Sequence, residues 1–204
     1  MGAYGGDIET PNLDALAASG IRFSRFHTAP LCAVTRAMLL SGNNNHIAGM
    51  GSQQLQTQVP GYEGHLTDRI IPLPALLRSA GYHTYMAGKW HLGDRLEDGP
   101  MAKGFEHSFS INGEGAANHY SNLGIFSESA ITGYTEDGEK ADWKEGDYST
   151  DFYTDKLISY IDRHREDGKP FSLLQLTPHR IGHYKWMKNT GRNMKDAMMM
   201  GMNP

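Results

Sequence analysis

Three stretches of this chain read as a helix followed by a strand, and a chain built that way has few folds open to it. Thr10 and Pro11 supply an N-cap and a first helical residue; Leu13, Leu16 and Ala17 keep helical spacing until Gly20. Residues 21–28, IRFSRFHT, then alternate apolar and polar as a strand does. The second unit is a short helix over 72–81, ended by Gly81, and a strand over 82–88. In the third, 149–168 places Tyr153, Leu157, Ile158 and Ile161 on one helical face before Gly168 and Pro170 end it. FSLLQLT, 171–177, follows as a nearly continuous apolar strand. The order predicts an α/β fold, a mostly parallel sheet flanked by helices. Residues 94–148 are rich in Gly, Asp and Glu, lack a strong period, and read as long loops on the ligand-binding side.

Charge and cysteine usage narrow the function classes. A formal net charge of −4 without a basic cluster argues against nucleic acid or an acidic membrane as partner. No stretch approaches the roughly 18 apolar residues of a membrane span, and MGAYGGDIETPNLD lacks the pattern of a signal peptide. The expectation is a soluble protein whose compartment these features leave open. One cysteine, Cys32, excludes an internal disulfide.

In open parallel sheets, ligands sit beyond the carboxyl ends of the strands. Cys32 follows the first expected strand, Lys89 and His91 end the second, and His179 follows the third. One potential nucleophile, one cation and two imidazoles therefore converge on one rim. A lone cysteine is more often a small buried hydrophobe, and Arg36, one turn beyond it, is open to a surface ion pair as well as to an anion at the helix start. Spacing excludes two other readings. A cysteine-phosphatase loop needs arginine where Met38 stands, and a P-loop needs Ser or Thr where Trp90 stands. His179 and His183 have the spacing of a helical zinc pair, but Pro178 and Gly182 disfavour a helix. The remaining histidines, His83, His107 and His164 among them, read as structural or surface residues.

The segments GAYGGDIETPNLDALAASGIRFSRFHTAPLCAVTRAMLLSG, HIAGMG, GYHTYMAGKWHLG, KGFEHSF, GAANHY and GKPFSLLQLTPH resemble the type I sulfatase family. The likeness is to its bacterial arylsulfatase branch within the alkaline-phosphatase-like superfamily. It implies an arylsulfatase-like sulfuric ester hydrolase whose Cys32 is oxidised to formylglycine by a formylglycine-generating enzyme. The hydrated aldehyde has two hydroxyls, one to attack sulfur and one to expel sulfate afterwards; a serine has only one. By family position Cys32, as formylglycine, also ligates Ca²⁺ or another divalent cation. Arg36 steadies that residue, Lys89 binds a sulfate oxygen, and His91 is the base for sulfate release. His179 binds the sulfate and assists the leaving group. The implied substrate is a small sulfate monoester, an aryl sulfate foremost. A phosphate- or phosphonate-ester hydrolase of the same superfamily and a non-catalytic fragment are the alternatives.

Three departures shape what is expected of the chain. Val34 stands where the maturation enzyme favours proline, which implies inefficient or absent conversion of Cys32. The family's paired metal-binding aspartates lie before GAYGG, and its Asp-Asn pair and a further lysine lie well after His179. Residues 1–184 thus read as a partial catalytic domain, and 185–204, with six methionines and no apolar period, as a tail unlike the family. The expectation is a fragment incomplete at both ends, inactive alone, with an uncovered apolar sheet edge.

Overall fold

The computed structural model describes residues 1–53, 56–111, 133–144 and 147–176. His179 and the Met-rich tail lie outside them. The helices are α1 (Pro11–Ser19), α2 (Cys32–Ser41), α3 (Leu73–Ser79) and α4 (Ser149–Arg163); the strands are β1 (His83–Lys89), β2 (His107–Ile111), β3 (Tyr134–Glu136), β4 (Glu139–Ala141) and β5 (Phe171–Leu176). The sheet order is β4-β3-β2-β1-β5. β1 is parallel to both β2 and β5, whereas β2–β3 and β3–β4 are antiparallel. This is the expected α/β architecture with an antiparallel margin.

β1 is buried along its whole length because helices cover both faces of the sheet. On one face Met86 and Trp90 pack with Ala33, Ala37 and Leu40 of α2 and with Leu66 and Phe105. On the other, Tyr85 and Ala87 meet Phe109, Ile111 and the inner side of α4. That side is Tyr153, Leu157 and Tyr160, so Tyr160 takes the place expected for Ile158. Alternate residues of one strand thus feed two cores.

Two expectations fail. Residues 21–28 form no strand; Ile21, Phe23 and Phe26 are exposed, and among the described residues no neighbouring strand pairs with them. Alternation makes a strand only where a neighbour supplies the ladder. The 94–148 region, read as loops, contains β2, β3 and β4. The β3–β4 hairpin turns through Asp137 (φ 49) and Gly138 (φ 87), the left-handed pair that a two-residue hairpin requires.

Candidate active site

α2 starts at Cys32 directly after the extended Leu31 (φ −111, ψ 136). Position 32 therefore lies in the first turn, where backbone N–H groups lack intrahelical acceptors and favour negative charge. The Thr35 hydroxyl donates to the Ala29 carbonyl at 2.8 Å and fixes the chain's entry into the helix. The Cys32 thiol is exposed, which removes the packing reading.

β1 delivers two side chains to that thiol. Lys89 Nζ lies 3.5 Å from Cys32 Sγ. Beyond Lys89, Trp90 drops into the core, its indole N–H donating to the Asp98 carbonyl at 2.8 Å. His91 then takes φ 59, a backbone conformation uncommon outside glycine, and its Nδ1 stands 3.3 Å from Sγ. The expected extended Lys89–Trp90–His91 segment is thus a strand end followed by a turn. Its two polar side chains still meet at Cys32, and Trp90 still points away.

Electrostatics separates the roles of the neighbours. Arg36, one turn into α2, donates to the Lys89 carbonyl and ties the helix start to the strand end. Burial lowers its pKa to about 10, with Cys32 opposing, so it stays charged at neutral pH. Burial, then Lys89, then Arg36 push the pKa of His91 down to about 3. The imidazole is therefore neutral at pH 7, and its Nε2 is buried without a partner among the described residues. Gln53 completes the cluster by accepting from the thiol at 3.4 Å. Nothing in its sequence surroundings marks it, because only loop closure brings it to α2. The fifth expected residue, His179, lies outside the described residues.

A calcium ion takes about six to eight oxygen ligands. Around Cys32 stand an ammonium, a guanidinium, an imidazole and one amide oxygen. Among the described residues, no third His, Cys, Asp or Glu joins Cys32 and His91 in a metal-sized group. These residues alone do not fit a hard cation.

The arrangement suits an anion at a helix start: two cations and a neutral imidazole are grouped around one exposed thiol. A family model described as Sulfatase matches residues 1–187. The chain belongs to the sulfatase family. It is 39% identical over 183 residues to an arylsulfatase of Klebsiella aerogenes, covering 86% of this chain and 39% of that enzyme. It is 32% identical over 199 residues to an N-acetylglucosamine-6-O-sulfatase of Bacteroides thetaiotaomicron, covering 92% and 29% respectively. A solved complex with the substrate D-glucosamine-2-N,6-O-disulfate superimposes at a TM-score of 0.63 and 31% identity, covering 92% of this chain and 32% of that one. This sulfatase chain thus spans about a third of the length of the proteins it matches.

Proposed function

We propose that this chain carries the nucleophile-bearing half of a sulfate-monoester hydrolase site, with Cys32 as the residue converted to formylglycine. The observation that carries the reading is the convergence of Lys89 Nζ and His91 Nδ1 on Cys32 Sγ, at 3.5 Å and 3.3 Å. Formylglycine would supply a hydrated aldehyde: one hydroxyl oxygen bonds to sulfur as the sulfur–ester oxygen bond breaks, and deprotonation of the other expels sulfate and restores the carbonyl.

The chain's own groups suit the two halves of that reaction. Lys89 and the first turn of α2 offset charge on the transferring sulfuryl group. Arg36 adds positive charge and holds Lys89 in place through the strand carbonyl. His91, neutral because it is buried beside two cations, has Nδ1 within reach of position 32 and takes the proton that sulfate release requires. The divalent cation implied by family position would need ligands other than the described residues, and no step here is assigned to it.

Peptide mass spectrometry across residue 32, after co-expression with a formylglycine-generating enzyme, tests the first half of the proposal. The expected result is an aldehyde in place of the thiol, in reduced yield because Val34 occupies the proline position. Turnover of an aryl sulfate, a 6-O-sulfated aminosugar and an aryl phosphodiester tests the second. Faster release from the phosphodiester would transfer the assignment to phosphoester hydrolysis. An intact thiol with no turnover of any ester would leave a non-catalytic fragment.

A further inference from the structure

The opposite pole of the sheet gathers histidines and carboxylates that sulfate chemistry does not use. His83 begins β1, His107 begins β2, and His164 follows the last turn of α4. β1 is seven residues long, which puts these groups about 20 Å from Cys32 at roughly 3.3 Å per residue. His83, His164 and Asp167 each offer a ligand atom, and the three atoms lie within 4.8 Å of one another. The geometry points to a site for a borderline transition-metal ion of the zinc class, held by His83 Nε2, His164 Nδ1 and Asp167 Oδ2.

Each ligand is oriented from behind, the usual construction of a metal-binding histidine. His83 is buried, and its other nitrogen, Nδ1, meets Glu106 Oε2 at 2.5 Å. The far nitrogen of His164, Nε2, lies 3.4 Å from His107 Nε2, and His107 Nδ1 meets Asp137 Oδ2 at 2.9 Å. Asp167 accepts the Lys169 N–H on Oδ1 at 3.0 Å, which directs Oδ2 towards the imidazoles. Two nitrogens and one carboxylate suit zinc, cobalt, nickel or copper far better than calcium or magnesium.

His83 Nε2 and Asp167 Oδ2 are hydrogen-bonded at 2.6 Å, and a bound ion would take the place of the proton between them. His164 Nδ1 stands 3.8 Å from Asp167 Oδ2. Bonds of about 2.0–2.1 Å in a tetrahedral site bring ligand atoms to roughly 3.3 Å apart, so binding requires the His83–Asp167 pair to open slightly and the His164 ring to swing inward. His164 and Asp167 have side chains 27% and 33% exposed, which leaves room for that swing, a path for the ion and a position for water.

The test uses the untagged chain in a Cys32→Ser background, so that the thiol makes no contribution. Equilibrium dialysis against zinc with elemental analysis should give one bound equivalent and a rise in thermal midpoint. Cobalt should give the visible bands of a tetrahedral N/O site. His164→Gln and Asp167→Asn change a half-buried and an exposed side chain at the sheet's end and should leave the far-UV circular dichroism unchanged, while each weakens zinc binding at least tenfold. His107→Gln should weaken it by about tenfold, the scale of an orienting partner. Absence of a bound equivalent, or His164→Gln and Asp167→Asn chains that bind as the parent does, would overturn the site.

Discussion

At the scale of single residues, charge placement separates what serves chemistry from what serves the fold. Lys89 is buried, and its ammonium is held beside Cys32 by the strand it ends. Lys89→Met keeps the apolar stem and removes the charge. Turnover of an aryl sulfate by the matured protein should fall about a hundredfold or more, with little change in thermal midpoint; equal turnover by parent and variant would remove Lys89 from the site. Glu63 is a contrasting case. Its carboxylate meets Arg69 at 2.6 Å and accepts the Gly61 N–H at 2.9 Å. The hydrogen bond from Arg69 is the first cause that lowers its pKa to about 2. A carboxyl depressed in this way binds its proton less tightly folded than unfolded. Its stabilisation is complete above about pH 4.3 and drains away as pH falls towards 2. Arg69 is exposed, so solvent screens the pair and its contribution is small. The gap in urea midpoint between parent and Glu63→Gln should narrow between pH 5 and pH 2.5; a constant gap would show that the ion pair does not set it.

At the scale of elements, the close approach of β1 and β5 rests on Gly88. It is paired with Leu176 and has φ 116, and a Cβ there would run into the Leu176 carbonyl oxygen. Gly88→Ala should cost about 3 kcal/mol through backbone strain and strand separation. Lys89 is the next residue, so activity should be lost together with stability; a urea midpoint equal to the parent's would contradict the close packing. What was legible in the sequence follows from the same local physics. The meeting of Cys32, Lys89 and His91 was readable because each sits at the boundary of a helix or strand marked by strong neighbours. The Asp137-Gly138 turn was also written in the chain, but β3 and β4 are three residues each, too short for a period to show. The strand expected over 21–28 failed for the opposite reason, a good pattern without a partner. Gln53, and the gathering of His83, His107 and His164, were beyond reach because they depend on which loop and strand ends become neighbours in space.

At the scale of the whole molecule, the apolar surface is unevenly distributed. α1 has no buried residue, and Ile8, Leu16, Ile21, Phe23 and Phe26 are 64–83% exposed. β5 ends the sheet, and among the described residues no strand covers its outer side. Phe171 and Leu173 on that strand are themselves 47% and 43% exposed. An uncovered, apolar parallel edge is a template for another chain, and a net charge of −4 supplies little repulsion against it. The chain should therefore bind the dye ANS in its native state and associate with rising concentration in sedimentation velocity. Leu173→Lys sets a charge on the exposed side of β5 and leaves Leu174 and Leu176, which pack against the α2 side of the core, unchanged. It should shift the chain towards monomer with no loss of helical circular dichroism, whereas Ile21→Ser with Phe23→Ser should lower dye binding more than association. A parent chain that stays monomeric and dye-free at high concentration would mean that this surface is covered in solution.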